Sequence, residues 1–263
     1  MNINLKDSIN FIKGKVDFNG DTAVILGSGL GSFANNLSSK FSVSFSEIPN
    51  YPISNVKGHD GEFIFGKING KEILVAKGRA HLYEGYSKNT VSSQVIILKN
   101  LGIKNLIITN SAGSLKKKNP PGTFMIINGH IDMTFQNSGL IPKTIFNSKF
   151  YCPTLISIAK KVGVEERIRV ESGIYCWTLG PLYETIEEIK FFKKLNGAVV
   201  GMSTVPEIEK GAELGIKMLT ISILTNYAAG ISKIPLSHNE VIINAERSKM
   251  NLLKLLKNIL KRI

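Results

Sequence analysis

The sequence predicts an α/β fold, a single domain with a mixed central β-sheet flanked by helices. Apolar stretches of strand length alternate with segments of helical periodicity along the 263 residues. Two of the strand-like stretches are joined by Asn69-Gly70, a strong hairpin signal that adds antiparallel pairing to the sheet. No linker, composition break or internal repeat divides the chain, so we expect residues 1–263 to form one domain.

The elements of the N-terminal half follow from apolar periodicity and turn signals. Helices are expected over residues 3–15, after a glycine-rich turn to about Leu37, and from a capping Ser87 to about Asn100. Strands are expected in Thr22–Gly31, which runs into that turn, and in Glu62–Ile68, Glu72–Ala76 and Thr123–Gly129. Asn105–Leu115 should pass from a strand into a polar, glycine-rich loop.

The C-terminal half begins with a segment, residues 131–152, that we interpret as a long irregular loop. Strands are then expected in the stretches 172–184, 197–203 and 216–226, the first of them ending in a Gly-Pro turn. Thr185–Glu188 fits a capping box that opens a helix, and a further helix is expected over Thr204–Leu214. Ser237–Glu240 fits a second capping box, followed by helical periodicity to the end of the chain.

The composition is that of a globular protein, with 43% hydrophobic and 20% charged residues. The net charge of +13 admits two interpretations, a nucleic-acid partner or a solvated, lysine-rich surface. The lysines are scattered, and their one run, Lys116–Lys118, sits beside a turn signal at residues 119–122. We find no RNA-binding or helix-turn-helix signature, so we favour the solvated surface and expect no nucleic-acid partner. Such a surface still attracts anionic substrates such as phosphate.

Cysteine and histidine usage favours a cytoplasmic protein without a metal site. Cys152 and Cys176 belong to no CxxC motif, so reduced packing cysteines are expected. The four histidines show no metal-ligand spacing, and His130 is interpreted as a structural histidine. The sequence shows neither a signal peptide nor an apolar run long enough for a transmembrane helix, so we expect no membrane partner.

Polar residues recur at the ends of the predicted strands, which is where α/β sheets bind ligands. Six strand ends carry them, and the residues are Ser28, Arg79 and His81, Asn110 and Ser111, Glu184, Ser203, and Asn226. For a single residue, a role as a turn former or a helix cap is usually the better explanation. Six such ends in one chain favour a binding site.

The glycine-rich turn does not have the spacing of a dinucleotide site. Its glycines are Gly27, Gly29 and Gly31, whereas a GxGxxG motif would place the third at position 32, which is Ser32. The turn offers backbone N–H groups and the Ser28 hydroxyl beside a predicted helix N-terminus. That combination suits phosphate or another small anion.

Arg79 is the only arginine in the first 166 residues of a chain with 28 lysines and 5 arginines. A guanidinium binds two oxygens of a phosphate as a planar fork, whereas lysine acts as a point charge. The alternative is a structural salt bridge to Glu84 or another carboxylate, and the residues alone leave both interpretations open. We expect His81, two positions further on, to lie on the same side of an extended strand and to face the same ligand.

Six motifs resemble, in order, those of the trimeric purine nucleoside phosphorylase family. They are GSGLGSF, GRAHLYEGY, TNSAGSL, GPLYET, GMSTVPE and LTNYAAG with SHNEV, and they span about residues 20–245. The resemblance implies the nucleoside phosphorylase type of fold and a homotrimer. It also implies cleavage of a purine (deoxy)ribonucleoside by inorganic phosphate to a free base and (deoxy)ribose 1-phosphate. Phosphate is then a co-substrate, and no cofactor is expected.

The same resemblance implies a role for each matching residue. The resemblance implies a phosphate site that consists of Ser28, His59, Arg79, His81, Ser203 and the backbone of Ser111. It also implies that the nucleoside is contacted by Tyr83, Asn110, Ala112, Met202, His238 and Tyr183. Of these, Tyr183 is expected to pack on the base. The catalytic set is His81, Glu184 and Asn226, with Glu184 accepting from purine N1–H and Asn226 contacting N7 and O6.

An ionised Glu184 and a neutral Asn226 favour 6-oxopurines, so inosine and guanosine are the expected substrates. A methylthioadenosine or 6-aminopurine phosphorylase of the same fold is the nearest alternative. A methylthioadenosine phosphorylase is expected to carry Asp near position 226 and Thr at position 203. This chain has neither. A non-catalytic nucleotide- or nucleic-acid-binding protein is the more remote alternative.

Three segments depart from the family pattern. Residues 133–153 differ from the loop that supplies an aromatic side chain to a neighbouring subunit in relatives, and Phe146 and Phe150 are the candidates for that role. Cys176-Trp177 stand where small or apolar residues are usual, and Tyr227 stands where Lys or a small residue is common. These departures leave base selectivity and turnover open.

Overall fold

The computed structural model describes residues 5–54, 61–136, 142–233 and 236–263, apart from the side chain of His238. Its strands are β1 (Thr22–Leu26), β2 (Ser38–Ser44), β3 (Glu62–Ile68), β4 (Lys71–Lys77), β5 (Asn105–Ser114), β6 (Phe124–Asp132), β7 (Val170–Trp177), β8 (Gly197–Gly201) and β9 (Lys217–Tyr227). Its α-helices are α1 (Leu5–Lys15), α2 (Lys88–Val91), α3 (Ser93–Asn100), α4 (Pro153–Glu165), α5 (Ile186–Lys194), α6 (Val205–Glu213) and α7 (His238–Leu260).

The nine strands form one mixed sheet in the order β2-β3-β4-β1-β5-β8-β7-β6-β9. Parallel pairing joins β1 to β4 and β5, and antiparallel pairing joins β3 to β2 and β4. The last strand in the order, β9, also pairs with β5 in parallel, so β5, β8, β7, β6 and β9 close on themselves. The predicted mixed sheet is confirmed, and this closure was not predicted.

Strand β1 shows how the sheet is covered on both faces. Its five residues are all buried, and alternate side chains enter different cores. Ala23 and Ile25 face the cluster that includes side chains of α1, α3 and α6, whereas Val24 and Leu26 face the cluster formed with α4 and α7. A continuous apolar run is typical of a strand buried between two helical layers, and the predicted α/β class is confirmed.

Local signals place several element boundaries. Asn69 and Gly70 both have positive φ, 51° and 79°, as a tight hairpin turn between β3 and β4 requires. At the start of α5, Thr185 and Glu188 form both halves of the predicted capping box. At the start of α7, the Ser237 hydroxyl accepts from the Glu240 backbone N–H at 3.2 Å.

Four assignments differ from the prediction. Strand β2 was missed because it is an exposed edge strand in which only Val43 is buried. Helix α4 was missed although Leu155, Ala159 and Val162 recur at helical spacing on its buried side. The helix expected from Ser87 is two, α2 and α3, and the one expected after the glycine-rich turn is a six-residue 3₁₀-helix, Gly31–Asn36.

Strands β5 and β6 are also longer than predicted. The polar end of β5 was interpreted as loop, but it continues to Ser114 because β9 pairs with it from Asn105 to Ser114. Asn110 and Ser111 therefore lie within a strand rather than after it. Asn226 is likewise the penultimate residue of β9. Pairing in the closed part of the sheet thus holds polar side chains on ordered backbone.

Candidate active site

A pocket opens where β1, β4, β5, β8 and β9 end, and it gathers most of the predicted site residues. The predicted residues that line it are Ser28, Arg79, His81, Tyr83, Asn110, Ser111, Ala112, Tyr183, Glu184, Met202, Ser203 and Asn226. Of the other two, His59 lies outside the described residues, and His238 is the first residue of α7, with its side chain outside them. Leu236, which precedes the N-cap of α7, and Val241, in the first turn of α7, line the pocket and were not predicted.

The turn after β1 is packed directly on β5. The Gly27 backbone N–H donates to the Thr109 hydroxyl at 3.3 Å, and a Cβ on Gly27 would lie 2.7 Å from Asn110 Cα. The Ser111 hydroxyl donates to the Ser28 carbonyl at 3.1 Å. Glycine is therefore required at position 27 for the backbones to approach, and this approach holds Ser28 beside Ser111.

Arg79 is buried and bound on three sides. Its Nη1 lies 3.1 Å from the Thr204 hydroxyl and 3.3 Å from Glu207 Oε2, and its Nη2 lies 2.6 Å from the Thr109 carbonyl. Burial raises the pKa of the Glu207 carboxyl, and the Arg79 guanidinium opposes that shift. The salt-bridge interpretation of Arg79 is thus correct in part, but the partner is Glu207 and not Glu84.

Glu84 instead binds His81. Its Oε2 accepts from the His81 backbone N–H at 2.9 Å and lies 3.0 Å from His81 Nδ1. The expectation that His81 shares an extended strand with Arg79 is wrong, because β4 ends at Lys77 and a 3₁₀-turn follows at Leu82–Glu84. That turn stacks the Tyr83 ring on the His81 ring, with centroids 4.7 Å apart and planes within 14°.

Thr204 was not predicted, yet its hydroxyl joins three of the pocket residues. Asn110 Nδ2 lies 3.0 Å from the Thr204 Oγ1, Arg79 Nη1 3.1 Å, and Ser203 Oγ 3.0 Å. The residue is fully buried and has a φ of 81°, which β-branched residues rarely adopt. Its position in the sequence beside Ser203 was the only available signal, because the sequence does not show backbone strain.

Glu184 lies in the segment after β7, and Thr178 orients it. The Thr178 hydroxyl donates to Glu184 Oε1 at 2.7 Å. Burial raises the pKa of the Glu184 carboxyl, and the bond from Thr178 opposes this. Tyr183, the preceding residue, is 41% exposed, so one part of its ring faces the pocket and another faces solvent.

Asn226 is held by its chain neighbours. Its Oδ1 accepts from the Thr225 hydroxyl at 3.1 Å, and its Nδ2 donates to the Tyr227 carbonyl at 3.0 Å. Gly113 faces it across an irregularity in the pairing of β5 with β9, where a Cβ would lie 3.3 Å from Nδ2. The amide is therefore fixed in orientation, with one Nδ2–H hydrogen left over from these bonds.

Comparison with known proteins agrees with this geometry. The Phosphorylase superfamily matches residues 9–261. Purine nucleoside phosphorylase 1 of Geobacillus stearothermophilus is 38% identical over 98% of this chain and 96% of its own length. The chain belongs to the purine nucleoside phosphorylases of this superfamily. The predicted family and enzyme class are confirmed.

Two further relatives support the assignment. Purine nucleoside phosphorylase 1 of Bacillus subtilis is 37% identical over 97% of this chain and 98% of its own length. The Schistosoma mansoni enzyme, solved in complex with inosine, has 30% sequence identity to this chain. The two structures superpose with a TM-score of 0.89 over 99% of this chain and 96% of that one. The family match therefore extends over nearly the whole chain.

Three of the residues that depart from the family pattern, Cys176, Trp177 and Tyr227, do not line the pocket. Trp177 is buried, and Lys88 Nζ lies 5.4 Å from its ring centroid. Cys176 is buried in a neighbouring apolar cluster, which raises the pKa of its thiol to about 12. The Tyr227 hydroxyl donates to the Lys117 carbonyl on the outer surface. Among the described residues, none of these three lines the pocket.

The two aromatic candidates in the divergent loop differ in exposure. Phe146 is 60% exposed, whereas Phe150 packs edge-on against His130 with ring centroids 5.6 Å apart. His130 is fully buried, its Nδ1 lies 2.6 Å from the Tyr151 hydroxyl, and burial lowers its pKa to about 4. The interpretation of His130 as a structural histidine agrees with these contacts.

The described residues form neither a metal-binding cluster nor a membrane-spanning helix. No group of three or more His, Cys, Asp or Glu side chains in them is arranged to hold a metal ion. Among those same residues, no helix combines the length and apolar character needed to cross a membrane. Both cysteines are free thiols.

Proposed function

We propose that this enzyme cleaves inosine and guanosine, and their deoxy forms, with inorganic phosphate as the nucleophile. The observation that carries the proposal is the pairing of two residue groups in one pocket. An anion group consists of Ser28, Arg79, His81 and Ser203, and a base group consists of Glu184 and Asn226. A phosphate and a purine can therefore occupy one pocket together.

Arg79 keeps donors for an anion even though it is bound to Glu207. A guanidinium has five N–H donors, two on each terminal nitrogen and one on Nε. Thr204 and Glu207 take both Nη1 donors, and the Thr109 carbonyl takes one on Nη2. Nε has no partner among the described residues, which leaves Nε–H and one Nη2–H. We propose that phosphate binding brings two of its oxygens to these buried donors, which together form a side-on fork.

The base group matches the hydrogen-bond pattern of a 6-oxopurine. An ionised Glu184 carboxylate accepts from purine N1–H, which adenine lacks. The remaining Nδ2–H of Asn226 donates to N7 of the purine. The Schistosoma mansoni enzyme has been solved with inosine and with adenosine, which supports purine nucleosides as substrates, and the choice between them rests on Glu184 and Asn226. Glu184 and Asn226 thus select the base by hydrogen bonding.

The chemistry follows from where charge develops. The C1′–N9 bond breaks with its electron pair moving to the purine, and a phosphate oxygen forms the new bond to C1′. A phosphate dianion beside C1′ stabilises the positive charge on the sugar before it attacks. Asn226, by donating to N7, stabilises the negative charge on the leaving base. His81, held by Glu84, and Tyr83 border the sugar and the phosphate.

The remaining parts of the proposal concern assembly, location and cofactor use. We propose a cytoplasmic homotrimer that uses phosphate as a co-substrate and needs no cofactor. Phe146, being exposed, is the candidate for the aromatic that reaches a neighbouring subunit's ribose site, and Phe150, being packed on His130, is not. His59 and His238 keep their proposed phosphate and ribose roles from the family resemblance.

One experiment tests the proposal. Purified enzyme is incubated with inosine, guanosine or adenosine, each with and without phosphate, and free base and ribose 1-phosphate are measured. We expect phosphate-dependent release of hypoxanthine and guanine, with adenosine much the poorest substrate. Release that is equal without phosphate would show a hydrolase, and a preference for adenosine would overturn the proposed base selection.

A further inference from the structure

Thr204 links β8 to α6 through a strained turn. Its φ and ψ are 81° and −41°, and the Val205 backbone N–H donates to the Ser203 carbonyl at 2.9 Å. These values define a γ-turn of the rare kind with positive φ. Backbone strain of this kind persists where the surrounding structure holds it, and it is concentrated at functional sites.

The Thr204 hydroxyl has three partners, and their chemistry fixes its hydrogen. A hydroxyl donates one hydrogen and accepts two. Arg79 Nη1 and Asn110 Nδ2 are both donors, so they occupy its two acceptor positions. With Asn110 Nδ2 facing Thr204, the hydroxyl hydrogen points to the third partner, Ser203 Oγ, at 3.0 Å. Ser203 accepts this bond, and its own hydrogen is not consumed by it.

We propose that Thr204 is a positioning residue that orients both Arg79 and the Ser203 hydroxyl toward the phosphate. The inference rests on the proposed function and deepens it. By accepting from Arg79, Thr204 holds one edge of the guanidinium and leaves the side-on fork for the ligand. By donating to Ser203, it directs the Ser203 hydroxyl to act as a donor, which is the polarity that a phosphate oxygen needs.

Tyr175 is the other neighbour of Ser203. The Tyr175 hydroxyl accepts from the Ser203 backbone N–H at 3.4 Å, and its ring is fully buried. The Ser203 side chain also hydrogen-bonds to the Tyr175 hydroxyl, so Tyr175 is a competing acceptor for the Ser203 hydroxyl hydrogen. If the Ser203 hydrogen serves the phosphate, removing the Tyr175 hydroxyl leaves phosphate binding unchanged. Tyr175→Phe is therefore a control within the same network.

The test compares Thr204→Val, which keeps the shape and removes the hydroxyl, with Thr204→Ser, which keeps the hydroxyl. The KM for phosphate is measured at saturating inosine, and the KM for inosine at saturating phosphate. Because hydrogen bonds to charged groups are lost, we expect Thr204→Val to raise the phosphate KM by about tenfold or more. The inosine KM should stay within about twofold, and Thr204→Ser should restore the phosphate KM.

If Thr204→Val does not fold, Thr204→Gly provides the hydroxyl-free variant, because glycine adopts positive φ without strain. An unchanged phosphate KM in the hydroxyl-free variant overturns the inference, and so does an equal rise in both KM values. A rise in Tyr175→Phe without one in Thr204→Val also overturns it. Failure of the proposed function is distinguishable, because wild-type enzyme would then show no phosphate dependence.

Discussion

Arg79 and Glu207 form an ion pair in which both side chains are buried, with Nη1 and Oε2 3.3 Å apart. The pair lies directly behind the pocket, since Arg79 also lines it. Removing one partner of a buried ion pair strongly lowers the stability of the folded protein, whereas removing one partner of an exposed pair has little effect. Glu207 therefore supports the fold and the anion group at the same time.

Glu207→Gln should destabilise the protein by about 3 kcal/mol, because it leaves the Arg79 charge uncompensated in the interior. Glu213→Gln, on the exposed side of the same helix, is the matched control, and its effect should be below about 1 kcal/mol. Denaturant unfolding of both variants measures the difference. Equal stabilities would show that the buried pair contributes nothing.

Arg79→Lys should raise the KM for phosphate by about tenfold, because the charge remains while the planar fork is lost. The KM for inosine should change little. Arg247→Lys, at an exposed position on α7, is the matched control and should leave both values unchanged. A phosphate KM equal to that of the wild type in Arg79→Lys would remove Arg79 from the phosphate role.

Asn226→Asp should shift the base preference toward 6-aminopurines. The aspartate carboxylate accepts a hydrogen bond at the place where the Asn226 amide donates one. The variant should therefore favour a base with an exocyclic amino group. We expect the ratio of kcat/KM for adenosine to that for inosine to rise about tenfold or more. Side-by-side assays of both nucleosides measure it, with the phosphate KM as an internal control. An unaltered ratio would argue against a recognition role for Asn226.

Glu184 should set the acid limb of the pH profile. Burial raises its pKa above the ordinary value, so the carboxylate is lost on acidification at a higher pH than an exposed glutamate would be. Thr178→Val removes a hydrogen bond that favours the ionised form, and the acid limb should move further upward. Glu184→Gln should abolish the limb. Profiles of kcat/KM for inosine test both, and a limb that is insensitive to Thr178→Val would contradict the assignment.

Phe146→Ala should weaken nucleoside binding across a subunit boundary. We expect the inosine KM to rise about tenfold, since buried aromatic contacts dominate such interfaces, while the melting temperature stays unchanged. Phe150→Ala, which removes a ring packed on His130, should lower the melting temperature instead. Light scattering gives the subunit number. A monomer, or the reverse pattern in the two variants, would contradict the proposal.

The sequence predicts most of the fold because its local signals are strong. The buried run of β1, the Asn69-Gly70 turn and the Thr185 capping box each depend on near neighbours in the chain. The closed sheet and the full length of β5 depend on pairing with β9, about 110 positions away, and no local pattern reports that pairing. Strand β2 was missed for the opposite reason, because its pattern is too polar.

The sequence predicted which residues line the pocket better than it predicted how their side chains are arranged. Twelve of the fourteen predicted residues line the pocket, because the motifs that carry them were specific. Thr204 and Glu207 were missed although both stand in the motif that carries Ser203. Nothing in the sequence marks a positive φ at Thr204 or the burial of the Glu207 carboxylate. The individual roles stay predictions until the variants above are measured.

Glu184 is built on a different kind of backbone from the anion group and from Asn226, which lies in β9. Several anion-group contacts rest on the closed sheet through Thr109 and Asn110 of β5, whereas Glu184 sits on the segment between β7 and α5. Substitutions around Glu184 can accumulate without disturbing the contacts of Arg79. The part of base selection that depends on Glu184 can therefore diverge while the phosphate chemistry is inherited unchanged.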